Sequence, residues 1–185
     1  MPACATSWTS TTSSGSKPPP GRRRPHRRAA AQLVEWAQER NPADDVTPGD
    51  LLSAAGWHLD QAGDTEAALA LHRRALDAEG TTTPDARCTL HAALLQAGRP
   101  DEARQVADDL RHSRPRLVDI AAMAENFDLA GDLEQALRWV AMAVNRLELD
   151  VEEDDDSAVI ISLNVRRLVR HELGFPPDEL DETGP

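Results

Sequence analysis

Downstream of Gly49, apolar residues recur at helical spacing, stop at a glycine, and start again; this happens three times. Leu51, Leu52, Ala55, Gly56 and Leu59 fall on one helical face. Gly63 follows, where a helix end favours a residue that tolerates positive φ. Asp64 or Thr65 is placed to cap the next helix, with Glu66 favourably in its first turn. Ala68, Leu69, Leu71, His72, Ala75 and Leu76 make the second face, and Gly80 with Thr81-Thr82-Thr83-Pro84 ends the unit. The pattern returns around Gly98 and Gly131, so the turn glycines stand 35 and then 33 residues apart. A repeated helix pair that cannot bury its apolar face alone must stack on its copies.

The flanks complete a stack. Residues 29–40, AAAQLVEWAQER, predict a helix with Leu33, Val34, Trp36 and Ala37 inward, packed on the first pair. Thr47 or Asp50 is placed to cap the helix after the polar linker. A last helix over 157–173 presents Val159, Leu163, Leu168 and Val169 on its apolar side, with Arg166, Arg167 and Arg170 exposed, and closes the stack. Residues 1–28 are rich in Ser, Pro and Arg, lack apolar periodicity, and are expected to be disordered. The tail over 174–185 is acidic and expected to be loose.

The spacing resembles the tetratricopeptide repeat, a helix–turn–helix unit of about 34 residues. Its small, bulky and alanine positions fall on Gly56, Leu59, Ala68, His72 and Ala75 in the first copy. In the second they fall on Leu90, Leu94, Ala103 and Leu110, and in the third on Met123, Ala124, Phe127, Ala136, Val140 and Ala143. The resemblance implies an all-α, right-handed α-solenoid of about three repeats, at about 49–80, 84–115 and 117–148, within a domain over 29–173. It also implies a concave groove lined by the first helix of each pair. Carried over position by position, that groove comprises Ser53, Trp57, Asp60 and Gln61; Cys88, Ala92, Leu95 and Gln96; and Ala121, Glu125, Asp128 and Leu129. None of these is basic, so the family's mode of holding a C-terminal carboxylate with Lys, Arg and Asn is not expected.

Charge narrows the partner. The chain has 20 basic and 32 acidic residues, a net charge of −12. Six basic residues and no acid fall before Ala30, so the remainder carries −18. An acidic body disfavours bare nucleic acid and anionic membrane. The expected ligand is therefore a basic or amphipathic peptide, with Trp57 as anchor and Asp60, Glu125 and Asp128 supplying charge. Packing of Trp57 near Trp36 is the competing reading. The expected binding residues are Ser53, Trp57, Asp60, Gln61, Ala92, Gln96, Glu125 and Asp128.

Little else suggests chemistry. No nucleophile elbow, zincin, dinucleotide or P-loop pattern occurs, so neither catalysis nor a cofactor is expected. Cys4 and Cys88 have no metal or disulfide spacing, and Cys88 reads as a small buried side chain. His72 and His91 read as core histidines rather than metal ligands. Glu152 to Asp156 lacks the alternation and glycine of a calcium loop and reads as solvated. No apolar run is long enough for a membrane span, and the expected compartment is the cytoplasm. Two alternatives stay open: a transcription-associated protein using the arm GRRRPHRR on nucleic acid, and a piece of a larger multidomain protein. The arm could instead visit the chain's own acidic groove, and self-association through an exposed end is a further possibility.

Overall fold

A computed structural model describes residues 20–39, 45–149 and 156–182, which form helices joined by turns and short loops, without strands. The helices are α1 (Pro20–Gln38), α2 (Pro48–Ala62), α3 (Thr65–Leu76), α4 (Ala86–Gln96), α5 (Pro100–His112), α6 (Leu117–Leu129), α7 (Leu133–Leu149), α8 (Asp156–Glu172) and the short α9 (Glu179–Glu182). The pairs α2/α3, α4/α5 and α6/α7 stack in order. α1 packs on α2 at one end and α8 on α6 and α7 at the other. The first helices α2, α4, α6 and α8 form a continuous inner row, each touching the next.

Local chemistry sets the boundaries. α2 begins with a capping box: the Asp50 amide donates to Thr47 Oγ1 at 3.1 Å, and the Thr47 amide to Asp50 Oδ2 at 3.1 Å. The pairs turn at Gly63, Gly98 and Gly131, whose φ values of 77°, 69° and 76° lie in the left-handed region. Asp64 occupies the cap position of α3 without capping it, because its carboxylate is taken by Arg27 of α1.

Stacking is sealed by alanine, leucine and a few larger groups. Leu69, Leu90, Ala93, Leu94 and Ala103 pack the first pair on the second. Ile120, Met123, Phe127, Trp139 and Val140 belong to a larger cluster that continues into Val165 and Val169 of α8. Polar groups lock the second and third pairs together. Asp119, only 3 % exposed, accepts from the amides of Asp85 at 2.8 Å and Arg116 at 2.9 Å. The Arg116 guanidinium donates to the same carboxylate and reaches back to the Thr82 carbonyl at 2.7 Å.

Four expectations need correction. α1 begins at Pro20, so Arg23 to Arg28 lie on a helix; residues 1–19 fall outside the described chain. Apolar periodicity is silent there because Arg27 and His26, not hydrophobic residues, dock this half of α1 on α2 and its turn. On the same helix Ala30, Leu33, Val34 and Ala37 face α2 and α3, whereas Trp36 is 53 % exposed. α8 is rotated from its expected phase: Ala158, Ser162, Val165 and Val169 are buried, Leu168 is 51 % exposed, and Arg166 is only 9 % exposed. Arg166 tolerates burial because the acidic segment after Gly174 folds back onto it, with Asp178 and Asp181 both accepting from its guanidinium. Residues 176–181 are therefore tied down rather than loose. The acidic run over 152–156 lies largely outside the described residues.

Candidate binding groove

The inner row gives each groove position a regular fate. The innermost position holds Ser53, Cys88 and Ala121, and the last two are buried between neighbouring helices, at 2 % and 1 % exposure. They belong to the stack and are not available to a ligand. Ser53 accepts from the Thr89 hydroxyl at 3.5 Å, a link between α2 and α4. One turn on, Trp57, Ala92 and Glu125 open to solvent to different degrees. Asp60, Leu95 and Asp128 are half-buried, and Gln61, Gln96 and Leu129 are exposed.

The first-pair end of this row is built around Trp57, which is 39 % exposed. Its indole lies edge-on to the rings of His26, at 5.8 Å, and His58, at 4.9 Å. The N-terminal helix therefore reaches Trp57 through His26 and not through Trp36. Asp60 is not a free acid: its Oδ2 lies 3.4 Å from Nε2 of the buried His72. The arm's Arg27 pairs with Asp64, at the turn between α2 and α3. That places the arm beside the first pair, away from Glu125 and Asp128 of the third.

The other end carries a cluster of acids. Glu125 and Asp128 lie on α6, and Glu172 on α8 adds like charge beside Asp128. None of the three has an ion pair among the described residues. Partial burial, and then repulsion from Asp128, hold the Glu125 carboxyl above its ordinary range; partial burial, and then Glu172, do the same for Asp128. A cation brought alongside would relieve that cost. Glu172 escaped the sequence reading because it sits on the closing helix, outside the repeats that defined the groove.

The remaining candidates are structural. Cys88 donates its thiol weakly to the Asp119 carbonyl at 3.6 Å. Burial, with Asp119 and Asp85 nearby, pushes that thiol far up, so it is not a reactive thiolate. His91 is fully buried against Phe127, ring centres 4.5 Å apart, with neither ring nitrogen hydrogen-bonded among the described residues. Among the described residues no helix is long and apolar enough to cross a membrane.

Residues 61–125 match the family model described as Tetratricopeptide repeat, a span from the end of α2 through most of α6. No curated protein and no solved structure matches the chain.

Proposed function

We propose, from the tetratricopeptide repeats of residues 61–125, that this chain is a non-catalytic module that holds a basic or amphipathic protein segment along its inner row. Repeats of this kind generally mediate protein–protein interaction. The observation that carries the finer reading is the carboxylate set Glu125, Asp128 and Glu172 on the inner helices: none has an ion pair among the described residues, and partial burial with like charge nearby holds Glu125 and Asp128 above their ordinary range. A buried or half-buried carboxylate is ordinarily paired. Here the missing partner is supplied by the ligand. Exposed Leu129, one residue on, offers the apolar contact an amphipathic segment would use. Ala92, Gln96 and Gln61 continue the surface toward Trp57 with no charge to repel a cation.

The test is fluorescence anisotropy with a labelled synthetic helical peptide of Leu, Lys and Arg, beside its Glu-substituted counterpart. The basic peptide should bind and the acidic one should not. Glu125→Gln/Asp128→Asn should weaken binding by about fivefold or more, since a desolvated charge pair contributes more than 1 kcal/mol. The control Asp101→Asn/Asp108→Asn alters the outer helix α5 by the same charge. Equal losses from both double variants would reduce the effect to bulk electrostatics and overturn the groove.

A further inference from the structure

We propose that His26 of α1 and His58 of α2 form a two-histidine site for a borderline divalent cation of the copper(II) or nickel(II) class. The two Nδ1 atoms lie 2.9 Å apart, on side chains 32 residues apart in sequence, with ring centres at 5.1 Å. Imidazole nitrogen is the donor these metals favour. Two metal–nitrogen bonds of about 2.0–2.1 Å that end on atoms so spaced subtend about 90°. That is the cis angle of a square-planar or octahedral centre. A tetrahedral zinc would need the nitrogens about 3.3 Å apart.

The surroundings fit a labile two-ligand site. Among the described residues no three His, Cys, Asp or Glu side chains converge with metal-ligand spacing, so water or an incoming donor completes the shell. Asp64, at the turn between α2 and α3, is engaged at both oxygens by Arg27 of α1. In the metal-free chain one Nδ1 donates its hydrogen to the other. On metal binding that hydrogen moves to Nε2 of the same ring, so both Nδ1 atoms become donors to the cation with no net proton release.

Such a cation would staple α1 to α2 directly over Trp57. It would also report itself, because a paramagnetic ion within a few ångströms of an indole quenches its fluorescence. The readouts involve no peptide, so they are independent of the groove reading.

The experiment is calorimetric titration of the full chain with nickel(II), beside quenching of tryptophan fluorescence by copper(II). Loss of even an outer-sphere partner costs metal affinity about tenfold, so His26→Ala and His58→Ala should each weaken nickel binding by at least that factor. His112→Ala, at an exposed histidine on α5, should leave it unchanged. Trp57→Phe should abolish most of the metal-dependent quenching. Nickel should raise the melting temperature of the native chain and of His112→Ala but not of His58→Ala, which separates lost ligation from lost folding. Unchanged nickel affinity in both His26→Ala and His58→Ala, or undiminished quenching in Trp57→Phe, would overturn the assignment.

Discussion

The imidazole of His72 lies against the bare Cα of Gly56, so close that a Cβ built there would come within 2.7 Å of Cε1 and Nε2. His72 is 3 % exposed and its Nε2 is oriented toward Asp60, so the ring has little room to retreat. The helix α2 can approach α3 this closely only because position 56 has no side chain. Gly56→Ala gains helix propensity but overpacks the pair, for a net loss of about 1–2 kcal/mol. In urea titrations the loss should shrink in a His72→Ala background. Equal losses in both backgrounds would mean the two residues do not share the space.

His91 should make stability depend on pH. Burial without a partner lowers its pKa to about 4. In the unfolded chain an ordinary histidine titrates near 6.5, so between about pH 6.5 and 4 the unfolded state binds the extra proton. The neutral ring's contribution is complete above about pH 6.5 and falls as pH drops, by on the order of 3 kcal/mol in all. Carboxylates also titrate in this window, so the informative quantity is native minus His91→Leu. That difference should move in favour of His91→Leu as pH falls from 7 to 4.5. A constant difference would show that His91 finds a partner on protonation.

The helix pairs were legible because each combines an apolar stripe, such as Leu52, Ala55 and Leu59, with a turn glycine. Both signals are local. What was hidden depends on polar contacts between distant segments. Arg27 meets Asp64, Arg166 meets Asp178 and Asp181, and Asp119 meets the Asp85 amide, at separations from 12 to 37 residues. A charged residue that will be paired reads in sequence like one that will be solvated. This is why the sequence pattern places the start of α1 at residue 29 rather than Pro20, and why it turns Arg166 of α8 toward solvent. Within the groove, the carried-over positions on α6 gave Glu125 and Asp128. Repeat spacing alone could not show that Cys88 and Ala121 turn into the stack, or that Asp60 faces His72.

Asp119 is the joint between the second and third pairs. Removing its carboxylate leaves the part-buried Asp85 and Arg116 amides without this acceptor and frees the Arg116 guanidinium from its partner on α6. Asp119→Ala should cost about 2–4 kcal/mol. Amide hydrogen exchange should rise first at the starts of α4 and α6. Exchange that rises evenly along the whole stack would contradict a local joint.

The carboxylates of the inner row should trade stability for binding. Glu125 and Asp128 titrate above their ordinary range in the folded chain. For acids so shifted, the folded state binds more protons than the unfolded state around these pKa values. At pH 7 both are a burden, and their contribution to stability improves as pH falls through the raised folded values and then the unfolded ones. Glu125→Gln and Asp128→Asn should each stabilise the chain at pH 7 by some tenths to about 1 kcal/mol, discounted for their partial exposure. The gain should fade as pH falls through the raised folded-state values, where the native carboxyls themselves take up protons. The same substitutions should weaken capture of the basic peptide. A residue that destabilises its own fold while strengthening a contact elsewhere is under a functional constraint rather than a structural one. If the substitutions destabilise the chain at pH 7, the carboxylates serve the stack, and the case for a cationic ligand on this row loses its main support.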